Sequence, residues 1–192
     1  MNDQISGEKE NFFISIIRKN LKIIIGVVIS LLITVIIITL LDYKQKNNNI
    51  ETSEQFNQAR ILIVNKDFIE GKKILNKIIE KKNKFYSPLS LYLIIENNLE
   101  KDSKKLIELF DEILSNKKIE KENLNLIRFK KAVFLSNFDN DDVIIKTLEP
   151  VIDSDSIWRE QAIKLLADYF SNKGKNSKAD QYFNLLKSQK NN

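Results

Sequence analysis

The sequence predicts an all-α protein with one membrane helix near the N-terminus, followed by an array of about four helical hairpins. Three observations support this prediction. The 192 residues include only 4 Gly and 2 Pro, which disfavours a fold rich in tight turns. A long apolar run lies near the start of the chain, and beyond it the apolar residues recur with helical spacing nearly everywhere.

The apolar run extends from Ile23 to Leu41 without a charged residue. As a helix it would be about 28 Å long, close to the thickness of the hydrocarbon core of a bilayer. The hydroxyls of Ser30, Thr34 and Thr39 can bond to carbonyls of their own helix. A buried core helix is disfavoured because a globular domain this small seldom buries such a run on all sides. A cleaved signal peptide is disfavoured because the run is too long and lacks a small-residue cleavage site.

Basic residues at the two ends of the run predict its orientation. Four precede it and three follow within about twenty residues: Lys9, Arg18, Lys19 and Lys22, then Lys44, Lys46 and Arg60. Because basic residues favour the cytoplasmic side, residues 1–22 are expected to form a short cytoplasmic tail. The C-terminal part of the chain would then be exported.

Residues 42–50 are polar and predict a short tether, and residues 51–192 predict the helical domain. Asp67 is a candidate N-cap, Ser87 precedes Pro88 as a hydroxyl cap before proline, and Gly174 offers a stop. Pro150 should kink or fray the sixth helix of the domain. Eight helices are predicted there, at about 51–65, 67–81, 87–99, 103–115 (capped by Asp102 or Ser103), 121–137, 141–153, 156–172 and 176–189.

A repeat relates the four predicted hairpins. In each hairpin a first position, small in three of the four, is followed 12 residues later by a second position. A large apolar residue comes four residues after the second position, and another comes three residues after that. The first positions, which we call frame residues, are Ala59, Ile94, Ala132 and Ala167. Small residues let two helices approach closely, and the large residues fill the space to the next hairpin. The pattern resembles the tetratricopeptide repeat of about 34 residues; a generic helical bundle of the same period is the alternative.

The whole arrangement also resembles the YfgM-like family, whose members are tetratricopeptide-like ancillary subunits of the bacterial Sec translocon. The resemblance rests on residues 85–114, with Tyr86, Ser87 and Ser90 at the start of a helical pair, and on residues 157–186. The chain departs from the family in having few alanines. The resemblance implies a bacterial inner-membrane protein with a periplasmic repeat domain, which contacts Sec translocon subunits, periplasmic chaperones and exported chains.

Composition argues against catalysis. The chain has no Cys and no His, which excludes thiol nucleophiles, imidazole bases and most transition-metal sites. Asp139, Asp141 and Asp142 lack the glycine and the distal glutamate of a calcium loop, and an acidic helix N-terminus explains them better. No enzyme activity, cofactor or metal is expected. Lysine pairs alternate with acidic residues, which indicates solvated helix faces and no nucleic-acid site.

Binding is expected on the concave surface that the first helices of stacked hairpins would line. The candidate groove residues are Phe56, Arg60, Leu91, Ile95, Phe129, Val133, Lys164 and Asp168. The four from the middle two hairpins are apolar, and such a cluster suits a partner helix or an unfolded segment. The alternative is that they are ordinary core or are covered by the first helix. Trp158 is expected to be a packing anchor.

The sequence therefore predicts a single-pass, membrane-anchored interaction protein that contacts the lipid bilayer through Ile23–Leu41. The family resemblance implies that the protein is an ancillary subunit of the Sec translocon that links exported chains to periplasmic chaperones. The alternative is a scaffold for envelope assembly or division complexes unrelated to Sec. An anchored enzyme is a third possibility, for which the sequence shows no site. Gly26 and Ser30 form a small-xxx-small pair that permits close packing against other membrane helices.

Overall fold

A computed structural model of the chain describes residues 20–138 and 140–189. These residues form helices and no strand, so the prediction of an all-α protein with one long apolar N-terminal helix is confirmed. Residues 1–19 of the predicted cytoplasmic tail lie outside the described residues. The eight described helices are α1 (Leu21–Val64), α2 (Phe68–Glu80), α3 (Tyr86–Glu96), α4 (Ser103–Leu114), α5 (Lys121–Leu135), α6 (Asp141–Ile152), α7 (Arg159–Asn172) and α8 (Asn176–Gln189).

Helix α1 unites three segments that the sequence separates: the membrane run, the predicted tether and the first helix of the domain. The tether at 42–50 is helical throughout. It contains neither Gly nor Pro, and extending an existing helix costs less than starting a new one. The contacts nevertheless divide the chain into two compact units, Met1–Glu51 and Thr52–Asn192, which we call the N-terminal and C-terminal units.

In the N-terminal unit, α1 exposes its apolar side chains. Leu31 and Leu40 are each 62% exposed, and none of the most apolar window is buried, which does not fit a core helix. The Thr34 hydroxyl donates to the Ser30 carbonyl at 2.9 Å, and the Thr39 hydroxyl donates to the Val35 carbonyl at 2.7 Å. Among the described helices, α1 is the one long and apolar enough to cross a membrane.

In the C-terminal unit, the helix starts recur with the spacing of the frame residues. Helices α2, α4, α6 and α8 begin at Phe68, Ser103, Asp141 and Asn176, in each case nine residues after a frame residue. All four frame residues have no exposed surface. The positions 12 residues after them, Gly71, Leu106, Ile144 and Ala179, are buried as well.

Local signals explain where the second helix of three pairs begins. The side chains of Asp67, Asp102 and Asn140 accept from backbone N–H groups of the first turn of α2, α4 and α6. Just after α1, α2, α3 and α7, the chain turns through a residue with positive φ: Lys66, Lys82, Asn98 and Gly174. Each such turn ends one helix and directs the chain into the next.

Two residues that the sequence predicts as helix-boundary signals, Ser87 and Pro150, do not mark helix boundaries in the structure. Helix α3 begins at Tyr86, where the Asn83 side chain accepts from the backbone N–H of Phe85 and of Tyr86 at 3.0 Å. Ser87 is therefore inside the helix, and its buried hydroxyl donates to the Ile78 carbonyl at 2.9 Å. Pro150 lies within the last turn of α6, which continues to Ile152.

Successive helices pack against each other from α2 to α8, and α2 also packs on α4. Their buried side chains form two core clusters, one around Phe110 and one around Phe170. A close approach occurs at Gly71 in α2. A Cβ atom there would lie 2.9 Å from Ile63 Cγ1 and 3.3 Å from the Ala59 carbonyl oxygen. Glycine is therefore required where α2 crosses the end of α1 within the C-terminal unit.

Polar links also connect positions 34 residues apart in the sequence. Three hydrogen bonds each join residues separated by 34 positions: Asn116 Nδ2 to the Lys82 carbonyl at 2.8 Å, the Ser156 hydroxyl to the Glu122 carboxylate at 2.8 Å, and Lys175 Nζ to the Asp141 carboxylate at 2.5 Å. All three lie at helix ends or in the turns between helices.

The contact at Gly71 gives a test of the packing. Gly71→Val should destabilise the C-terminal unit by about 1–3 kcal/mol, because the added methyl groups overpack against Ile63 and the Ala59 carbonyl. Chemical unfolding of the full chain in detergent micelles, followed by circular dichroism, measures this. The control Lys77→Val changes an exposed position of the same helix and should alter stability by less than about 0.5 kcal/mol. Equal stability of the two variants would contradict the packing.

Candidate binding groove

The structure brings three of the eight predicted groove residues together. Ile95, Phe129 and Val133 line a cavity of about 420 Å³ between α3 and α5. We call this cavity the α3–α5 groove. It is accessible, since Ile95 is 37% exposed and Val133 is 43% exposed. Its full lining is Tyr92, Ile95 and Glu96 from α3, Phe110 from α4, Phe129, Lys130, Val133 and Phe134 from α5, and Asn137.

The other five predicted residues lie elsewhere. Leu91 is fully buried in a core cluster with residues of α2, α4 and α5, so at this position the ordinary-core alternative holds. Phe56 is partly buried and packs its ring against Tyr86 at 5.6 Å between centroids. Arg60, Lys164 and Asp168 are exposed and do not line the α3–α5 groove.

Sequence reasoning missed several of the lining residues. On α5 and just beyond it, Lys130, Val133, Phe134 and Asn137 follow the i, i+3, i+4, i+7 spacing of a single helix face. On α3, Tyr92 and Glu96 are also one turn apart. This spacing was available in the sequence. Whether the face is open or covered depends on the distance between α3 and α5, which no local pattern encodes.

Aromatic side chains build the walls of the groove. Phe110 and Phe134 lie 6.2 Å apart between ring centroids, and Phe129 stacks on Trp158 at 5.9 Å, which fits the packing role expected for Trp158. Lys130 Nζ lies 4.6 Å from the centre of the Tyr92 ring, a cation–π arrangement. Burial raises the pKa of Tyr92 to about 12, so its hydroxyl stays protonated at neutral pH.

Asp141, the first residue of α6, links this helix to α7 and to the turn after α7. We call this cluster the junction at Asp141. Asp139 is outside the described residues. The Asp141 carboxylate accepts from the Tyr169 hydroxyl at 3.0 Å and from Lys173 Nζ at 3.2 Å, besides Lys175 Nζ. These hydrogen bonds, that from Lys175 above all, lower the pKa of Asp141 to about 2. In the described part of the chain, no group of three or more acidic side chains could hold a metal ion.

The α3–α5 groove offers shape, apolar surface and a few polar groups at its edge. Its ionisable lining residues are Tyr92, Glu96 and Lys130. Comparisons of the chain with protein-family models, with curated proteins and with solved structures find no match.

The junction at Asp141 gives a test with a defined pH dependence. Asp141→Asn should lower stability at neutral pH by about 1–2 kcal/mol, because the charged acceptor of three donors is lost. Because the folded state lowers this pKa, the stabilisation is present above the ordinary value of 3.8 and is lost as pH falls towards about 2. Unfolding of the full chain at several pH values measures both effects.

Asp142→Asn is the matched control, since Asp142 is the exposed neighbour in the same helix turn. It should leave the stability at neutral pH nearly unchanged. A difference between Asp141→Asn and the unchanged chain that stays constant from neutral pH down to pH 2 would contradict the assigned role of the Asp141 carboxylate.

Proposed function

We propose that this chain is a single-pass membrane protein whose tetratricopeptide-like C-terminal unit binds other proteins through the α3–α5 groove. The observation that carries the proposal is the groove itself. Its aromatic and aliphatic walls remain accessible at Ile95 and Val133 although the neighbouring positions Ile94 and Ala132 are fully buried. Accessible apolar surface of this kind typically marks a site of protein association.

Regular features of the C-terminal unit support the stacked-hairpin arrangement. The second helices of the pairs begin nine residues after the frame residues, the frame residues are all buried, and three polar links join positions 34 residues apart. A solenoid of this kind stacks each hairpin only on its neighbours and leaves one long surface for a ligand. The first helices of successive hairpins, which include α3 and α5, line that surface.

The apolar stretch of α1 supports the membrane anchor. Its side chains lack a covering partner among the described residues, and a bilayer would provide one. Four basic residues before it and three after it favour a cytoplasmic N-terminus. The C-terminal unit would then lie on the periplasmic side of a bacterial inner membrane.

The partners we propose are Sec translocon subunits, periplasmic chaperones and newly exported chains. Exported chains emerge unfolded and expose apolar side chains, which an accessible apolar groove can hold. The resemblance to the YfgM-like family gives the same expectation. A scaffold for envelope assembly or division would share the anchor and the groove, and identification of the partners separates the two functions.

Photocrosslinking in intact membranes tests the function. With a photoreactive amino acid at Val133, inside the groove, we expect crosslinks to translocon subunits, chaperones or exported chains. The same amino acid at Lys146, an exposed position of α6 outside the groove, should give several-fold fewer. Capture of assembly or division proteins without any translocon subunit would contradict the Sec role. Equal capture from both positions would contradict the groove as the binding site.

A further inference from the structure

The α3–α5 groove is charged as well as apolar, and its two charges have opposite signs. Lys130 and Glu96 both line it, Lys130 from α5 and Glu96 from α3. Within the described residues neither side chain has an ion-pair partner, and both are exposed. Both charges are therefore available to a ligand that occupies the groove.

The two charges have different surroundings. The amine of Lys130 lies over the ring of Tyr92, and Glu96 follows Tyr92 by four residues, or one turn of about 6 Å, on α3. Glu96 is also the last residue of α3, so the negative end of the helix dipole adds to its charge. The positive group thus lies beside the Tyr92 ring, and the negative group belongs to the following turn of α3.

The rest of the lining is mostly apolar. Ile95 and Val133 are its accessible aliphatic side chains, and Phe129 and Phe134 complete the walls. A volume of about 420 Å³ is within the range of sites that enclose a small ligand or a few side chains. About three residues of an extended chain span about 10 Å.

We propose that the groove selects a short extended segment of a partner protein in which apolar residues are flanked by one basic and one acidic residue. The basic residue would face Glu96, and the acidic residue would face Lys130 beside Tyr92. This selection rests on the proposed function and adds to it the chemistry of the segment. Complementary charges contribute to the choice of partner, while the apolar residues contribute most of the buried area.

Fluorescence of the full chain in lipid nanodiscs tests this selection. Trp158 is the only tryptophan and stacks on the groove residue Phe129, so its emission reports occupancy. The probes are pentapeptides with blocked ends and the core Leu-Phe-Leu. They carry Lys and Glu, two Lys, two Glu or two Gln as flanking residues. The unchanged protein should bind the Lys/Glu peptide about three- to fivefold more tightly than each of the other three.

Charge exchange in the protein makes the test independent of the direction in which the peptide binds. Glu96→Lys should shift the preference to the two-Glu peptide, and Lys130→Glu should shift it to the two-Lys peptide. The double exchange restores one charge of each sign, so it should again prefer the Lys/Glu peptide. It also serves as the control for folding, together with circular dichroism of each variant.

Several results would overturn the inference. Equal affinity for the two-Gln and Lys/Glu peptides would show that the groove reads only apolar surface. Emission of Trp158 that changes on dilution without peptide would assign the groove to a second copy of the chain. Absence of peptide binding, with crosslinking from Val133 still capturing partners, would overturn the charge selection and leave the proposed function in place.

Discussion

Burial of the four frame residues, one each in α1, α3, α5 and α7, is the constraint on which the C-terminal unit depends. Ala59, Ile94, Ala132 and Ala167 have no exposed surface, and the helix that follows each of them begins nine residues later. Beside Ala59 the approach is so close that a Cβ atom at Gly71 would require Ile63 to shift. Burial of the frame residue fixes the rotation of each of these helices about its own axis. This rotation determines which face of the helix stays exposed.

The groove follows from that orientation. The residue after each frame residue lies about 100° further round the helix, on the face beside the buried one. In α3 and α5 these residues are Ile95 and Val133, which are accessible and line the groove, whereas α1 and α7 have Arg60 and Asp168, which are exposed. The positions beside the frame residues are therefore apolar in α3 and α5 and charged in α1 and α7.

Much of this arrangement could be predicted from local patterns, because caps and helical spacing act within a few residues. Asp67 caps α2 as its sequence context predicts, and the frame residues are buried. What escaped prediction depends on structure outside the segment itself. Leu91 lies in the core because α2, α4 and α5 surround it, although its spacing matches Ile95. The continuation of α1 through 42–50 depends on the helix that precedes it, which the polar composition of that segment does not reveal.

Labelling of single cysteines introduced into the full chain tests both the burial of the frame residues and the proposed export across a bacterial inner membrane, since the sequence has no cysteine of its own. With a maleimide that cannot cross the inner membrane, a cysteine at Val133 should react rapidly in cells whose inner membrane is intact. A cysteine at the buried Ala132 should react only after denaturation, and one at Lys22 only after the inner membrane is permeabilised. Rapid labelling at Lys22 with none at Val133, or equal labelling at Ala132 and Val133, would contradict the account.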